Sequence, residues 1–205
     1  MKLRHLFAVF PAAALAASAA LAPSVDATRP LPVGSRTPDP VIRTMTGTET
    51  TLSQQLSAKP TVLIFYRGGW CPYCNKHLAA LADAEQDLLQ LGYQIVAISA
   101  DAPAGLQTTS EKQHLKYRLL SDRDMAASAA FGVAFRVDAA TVAKYRDYQI
   151  DLPPVPGEPD ARWLPEPAVF LIDRHGAIRF VHANADYRVR IAVPELLAAA
   201  RQARE

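Results

Sequence analysis

The chain has 205 residues, half of them apolar and one fifth charged, with modest glycine and aromatic content. That excludes collagen, coiled coil and wholesale disorder and fits one globular domain. Lys and Arg number 22 against 20 Asp and Glu, a formal charge of +2, which supplies no basic field for nucleic acid and no acidic one for storing cations.

The N-terminus comes first. Lys2, Arg4 and His5 precede Leu6-Phe7-Ala8-Val9-Phe10 and an alanine-rich run to Ala22, the charged start and apolar centre of an export signal. Cleavage is expected between Ala22 and Ala27, so 1–27 reads as the signal and 28–205 as the domain delivered to a bacterial periplasm. An uncleaved anchor is the alternative, disfavoured because the run, broken by Pro11, is marginal for the roughly 20 residues that span a bilayer. After cleavage no stable membrane insertion is expected.

Pro30, Pro32, Pro38 and Pro40 deny helix to residues 29–40 and predict an extended lead-in. Thr61-Val62-Leu63-Ile64-Phe65-Tyr66 is too apolar for a strand with one wet face and predicts a central strand covered on both sides. Leu78, Leu81 and Leu88 repeat at helical spacing up to Leu91, with Gly92 as the stop. Residues 93–99 predict a second buried strand, which closes a β-α-β unit. Beyond it come a helix over 103–114, a short strand at 118–120, a small helix over 124–131 ended by Gly132, and a helix over 139–148. Leu152-Pro153-Pro154-Val155-Pro156-Gly157 reads as a long loop, a lid or an insertion. Residues 169–172 and 177–181 predict a hairpin turning at Gly176, and residues 194–201 a final helix.

The two cysteines stand at Cys71-Pro72-Tyr73-Cys74, between the central strand and the first long helix. A thiol at a helix start meets free backbone N–H groups and the positive end of the helix dipole, both of which favour thiolate. Cys71 is therefore a candidate nucleophile. Pro72 suits the first helical position, and Cys74, one turn on, can displace any mixed disulfide formed on Cys71. Pro72 and Tyr73 between the sulfurs tune a potential that spans about −270 to −120 mV among such pairs. A zinc site lacks two ligands, because His77, His114, His175 and His182 are scattered; haem attachment needs His where Asn75 stands. No cofactor is expected.

The segment Phe65-Tyr66-Arg67-Gly68-Gly69-Trp70-Cys71-Pro72-Tyr73-Cys74 resembles the active-site segment of the peroxiredoxin-like branch of the AhpC/TSA family, in the thioredoxin-fold superfamily. Pro38-Asp39, Leu120-Ser121-Asp122, Pro167-Ala168-Val169-Phe170-Leu171-Ile172-Asp173 and Asp186-Tyr187-Arg188 extend the resemblance over nearly the whole mature chain. It implies a thioredoxin-like α/β fold: a central mixed sheet flanked by helices, with an N-terminal extension and an insertion before the late hairpin. Against the peroxiredoxin pattern Pro-x-x-x-Thr-x-x-Cys, Arg67 falls at the proline, Cys71 at the threonine and Cys74 at the peroxidatic cysteine. Glu166-Pro167 resembles the cis-proline that receives substrate backbone in thioredoxins, which would make Pro167, with Trp70 and Arg67, a substrate guide.

These departures favour disulfide exchange through Cys71 and Cys74, with a protein disulfide as substrate and a thiol protein or small thiol as electron donor. Reduction of hydrogen peroxide or organic hydroperoxides, recycled by a thioredoxin-type donor, is the alternative; a Cu(I)-handling module bound through the two thiolates is a lesser one. Tyr66, Tyr117, Tyr145 and Tyr187 read as packing residues, Trp163 as a loop anchor, and Asp122-Arg123-Asp124 as a solvated turn.

Overall fold

The structure is a computed structural model and describes residues 21–203; most of the expected export signal, residues 1–20, lies outside the described residues. The elements run β1 (Val41–Thr44), β2 (Glu49–Thr51), α1 (Leu52–Leu56), β3 (Thr61–Tyr66), α2 (Pro72–Asp83), α3 (Glu85–Gln90), β4 (Gln94–Ser99), α4 (Pro103–Lys112) and β5 (Arg118–Ser121). They continue as α5 (Ala126–Ala130), β6 (Ala134–Val137), α6 (Ala139–Asp147), β7 (Pro154–Val155), β8 (Glu158–Pro165), β9 (Ala168–Ile172), β10 (Ile178–Ala183) and α7 (Val193–Gln202).

Seven strands form one mixed sheet in the order β10-β9-β3-β4-β5-β1-β2. β3 lies parallel to β4 and antiparallel to β9. Every residue of β3 is buried, as its unbroken apolar run requires. Val62, Ile64 and Tyr66 point into one core with Leu78, Leu81 and Leu88, while Leu63 and Phe65 point into the other with Phe131 and Phe170. Helices thus cover both faces, which is what a central strand of this composition demands.

The expected helix up to Leu91 is two helices. Ala84, at φ −93° and ψ 1°, ends α2 and starts α3; nothing in the residues around it explains the break. β1, β2 and α1 are additions to the expected order. α1 is set by a capping box in which the Thr51 hydroxyl accepts from the Gln54 amide while the Gln54 side chain accepts from the Thr51 amide. The segment expected as a proline-rich loop is a correction of another kind. β7 and β8 pair antiparallel around Gly157, and β6 joins them in a separate three-stranded sheet. Pro154 is tolerated because β7 is an edge strand. Trp163 accordingly sits in β8, buried, rather than in a loop.

Residues 21–31 lie along this insertion. The Ala22 amide donates to the Ala134 carbonyl at 3.3 Å, and the Arg136 amide donates to the Ala22 carbonyl at 2.8 Å. The Thr28 hydroxyl donates to Glu166 at 2.6 Å inside the protein. Asp122 is also a correction. It is buried rather than solvated, and its carboxylate accepts from the Ala127 amide and from the Ser128 amide and hydroxyl, which anchors the start of α5.

Candidate active site

β3 ends at Tyr66, and the loop 67–70 delivers the chain to α2, whose N-cap is Cys71 and whose first residue is Pro72. The loop is pinned from both sides. The Cys71 amide donates to the Gly68 carbonyl at 3.1 Å, Asn75 Nδ2 to the Gly69 carbonyl at 2.8 Å, and the Gly69 amide to Asp101 Oδ2 at 2.7 Å. The Ser99 hydroxyl holds the same Asp101 oxygen. Burial pushes the Asp101 carboxyl up, and these donors pull it back toward the charged form.

Both cysteines are free thiols and only 1 % exposed. The Cys71 side chain closes no conventional cap bond to the helix, but its sulfur faces the thiol and amide of Cys74. The hydrogen bond from the Cys74 thiol is the largest of the influences that bring Cys71 down to about 6, against the opposing effect of burial; the Cys74 amide and the Arg67 and Arg190 guanidinium groups add to the lowering. Cys74, as the donor of that bond, is pushed well up, and burial adds to it. The first proton of the pair therefore leaves from Cys71. Arg190 Nη2 donates to Cys74 Sγ at 3.6 Å, so two guanidinium groups flank the sulfurs.

Arg67 is 6 % exposed rather than solvated. Its guanidinium carbon lies 4.9 Å from the ring centre of Trp70, 5.5 Å from that of Tyr145 and 4.1 Å from that of Tyr187, and it donates to the Tyr145 hydroxyl. Trp70 stacks obliquely on Tyr145, and Tyr73, exposed at the rim, meets Tyr187 edge to face. Tyr145 and Tyr187, read from the sequence as packing residues, thus belong to the site, as does Arg190, which sequence reasoning did not single out. The repeated Arg in Arg188-Val189-Arg190, after the family-like Asp-Tyr-Arg, is the one local signal for it.

Pro167 stands apart. It precedes Ala168, which pairs with Phe65, and so lies at the same end of the sheet as the thiols, buried. No peptide bond among the described residues is cis, so the likeness of Glu166-Pro167 to a cis-proline does not extend to its conformation. The Glu166 side chain is occupied with Thr28.

His77, one turn beyond Cys74, is buried with its Nε2 unpartnered. Burial, with Arg190 and His182 adding, pushes it down to about 4. Its folded value lies below the unfolded value near 6.5, so the unfolded chain binds the extra proton between those limits. Its contribution is complete above pH 6.5 and is lost as the pH falls toward 4, about 3 kcal/mol in all. Asp122, raised to about 6 chiefly by burial, acts oppositely, its contribution fading as the pH rises through that value. The expected result is that His77→Leu flattens the wild-type loss of stability between pH 6.5 and 4, measured by urea unfolding at each pH; identical slopes in the two proteins would contradict it.

The model of the AhpC/TSA family matches residues 33–181. Among curated relatives, the chain is 25 % identical over 151 residues to a chloroplastic peroxiredoxin Q of Suaeda salsa, covering 74 % of this chain and 59 % of that one. It is 33 % identical over 72 residues to peroxiredoxin Bcp of Escherichia coli K12, covering 35 % and 46 %. The alignments thus span about half the length of those two relatives. Among solved structures, peroxidoxin BcpB of Mycobacterium tuberculosis superposes with a TM-score of 0.62 at 24 % identity, covering 83 % of this chain and 96 % of that one. Reduced Prx3 of Vibrio vulnificus, solved in complex with hydrogen peroxide, superposes with a TM-score of 0.67 at 17 % identity, covering 83 % and 99 %. These likenesses show the thioredoxin fold that the peroxiredoxins share. With its family model matched over most of its length and that fold around a paired-cysteine site, the chain belongs to the AhpC/TSA family.

Proposed function

We propose that the chain is a thiol peroxidase in which Cys71 attacks hydrogen peroxide or an organic hydroperoxide and Cys74 resolves the product. The observation that carries this reading is the 1 % exposure of both cysteines beside two guanidinium groups. A small oxidant fits such a site, whereas a protein disulfide must bring its own sulfur into contact with Cys71. The peroxiredoxin relatives support the same reading. Disulfide exchange, favoured by the departures from the peroxiredoxin motif, keeps one supporting observation, the placement of Cys71 at the N-cap.

In the proposed cycle the Cys71 thiolate attacks the distal oxygen of ROOH, the O–O bond breaks, and the leaving alkoxide takes a proton to give ROH and Cys71 sulfenic acid. The Cys74 sulfur then attacks the Cys71 sulfur, water leaves, and the Cys71–Cys74 disulfide forms. Two electrons and two protons from an external dithiol, a thiol protein or a small thiol, restore the pair. Trp70, the last residue of the loop before Cys71, reports the oxidation by fluorescence. Stopped-flow mixing of reduced protein with hydrogen peroxide is expected to give a faster change than mixing with an oxidised protein disulfide at equal concentration; the reverse order would overturn the assignment.

Export belongs to the same reading, and the packing of residues 21–28 bears on where the signal is cut. Cleavage after Ala27 would remove the Ala22 bridge to β6 and the carbonyl of Val25 that accepts from the Thr28 amide. This packing supports a cut earlier than the expected window of Ala22 to Ala27, before Leu21, where Ala17-Ser18-Ala19 offers small residues at the required spacing. Mass analysis of the exported protein is expected to find Ala20 as its first residue; a start at Thr28 would contradict this placement.

A further inference from the structure

Arg67 is a buried cation without a buried anion. Among the described residues no carboxylate forms an ion pair with it. Three ring faces and one phenolic oxygen surround it instead. Such neighbours stabilise a guanidinium by partial charges and quadrupoles, yet leave it without the full negative charge that a buried cation needs. The Cys71 sulfur, whose proton loss Arg67 favours, supplies that charge when it is a thiolate. Two of the rings come from far along the chain. Tyr187 lies in the segment before α7, and Tyr145 lies on α6, within the insertion.

α6 has little else to hold it. None of its residues is buried, although Val142 and Tyr145 pack against the insertion core. Tyr145 is the residue of α6 that reaches the thiol loop, through its hydrogen bond with Arg67 and its contact with Trp70. An element with few buried contacts opens at low free-energy cost.

We propose that Tyr145 is the positioning residue that holds Arg67 against the cysteine pair, and that α6 is thereby coupled to the pair's redox state. In the reduced protein the Arg67 guanidinium has the Cys71 thiolate for its counter-charge. Formation of the Cys71–Cys74 bond removes two electrons and the one remaining proton, that of Cys74, from the pair and leaves no anion there. Arg67 is then a buried cation faced only by rings and a phenol, and the cheapest relief is for it to move toward water. That breaks the Tyr145 bond and frees α6. The insertion thereby acts as a cover that is held over the reduced site and loosens when the disulfide must meet its reductant. The inference rests on the pair being redox-active with Cys71 as thiolate, and not on the nature of the oxidant.

The test is amide hydrogen exchange of the full chain, reduced with dithiothreitol or oxidised with diamide, which takes the two electrons itself. Residues 139–147 are expected to exchange about tenfold faster in the oxidised form, the equivalent of about 1.4 kcal/mol, with little change in β3 and β4. Tyr145→Phe keeps the ring and loses the hydroxyl acceptor. Its Cys71 thiolate, followed by absorbance near 240 nm, is expected to titrate at a higher pH than in the wild type, an effect that loss of packing alone does not produce. Equal exchange of α6 in both redox states, or an unchanged titration in Tyr145→Phe, overturns the proposal. Neither readout uses a hydroperoxide, so failure here leaves the peroxidase reading standing, and failure to turn over peroxide leaves this coupling to be judged on its own result.

Discussion

Replacing Cys71 by serine is expected to lower kcat/KM for hydrogen peroxide about a thousandfold or more, since the variant loses its nucleophile while the oxygen that replaces it stays protonated at neutral pH. The fold should survive, because the side chain changes by one atom at a helix N-cap, a position serine suits. The wild-type rate is expected to rise through a pH of about 6, where the Cys71 proton leaves, and to level off above it. Cys74→Ala removes the thiol that donates to Cys71, the largest influence holding that proton loss low, so its profile is displaced to higher pH. Initial rates of peroxide loss between pH 5 and 8, with dithiothreitol as donor, measure all three. A wild-type rate that keeps climbing through pH 8 would contradict the arrangement of charges around Cys71.

Gly68→Ala is expected to damage both stability and turnover, for a different reason. Gly68 adopts φ +152°, and a Cβ built there would lie 2.3 Å from Trp70 Nε1 and 2.7 Å from Asp101 Oδ1. Backbone strain and displacement of the indole each cost about 1–3 kcal/mol, so a loss of about 2–6 kcal/mol is expected. Because Trp70 packs on Tyr145 and Asp101 fastens the Gly69 amide, the loop that aims Cys71 shifts as well. A fall in peroxide turnover of about tenfold or more should accompany the loss in stability, since small misplacements of a reacting group are costly. Urea unfolding of the reduced variant beside its turnover checks both; stability within about 0.5 kcal/mol of wild type would show that the loop has room for the methyl.

The central sheet and the thiol-bearing helix were legible because their signals are local. Val62 to Phe65 is an apolar, β-rich run between Pro60 and Gly68, and Pro72 marks the first turn of α2. β1, β2 and α1 were missed because the threonines between Thr44 and Thr51 carry no alternation of apolar and polar residues, and α1 has only five residues. β8 hid behind Pro159, Pro165 and the charges of Glu158, Asp160 and Arg162; its apolar half, Trp163-Leu164, is too short to announce a strand. Asp122 looked solvated since its amide and hydroxyl donors, at Ala127 and Ser128, appear only once α5 is folded. The cysteine pair could be read, but the environment of Arg67 could not. Tyr145 lies 78 positions away, Tyr187 and Arg190 lie farther still, and no periodicity links them to the loop. The reaction followed the same division. Motif departures at Arg67 and Cys71 pointed to disulfide exchange, while burial of the sulfurs, visible only in the fold, favours a small oxidant.

The most direct test asks which sulfur is oxidised. Cys74→Ser and Cys71→Ser proteins, each reduced and then given one equivalent of hydrogen peroxide in the presence of dimedone, are digested and weighed. A dimedone adduct near one equivalent on Cys71 in the first protein, and almost none on Cys74 in the second, is the predicted result. An adduct carried by Cys74, with Cys71 left unmodified, would contradict it and place the nucleophile one turn into the helix.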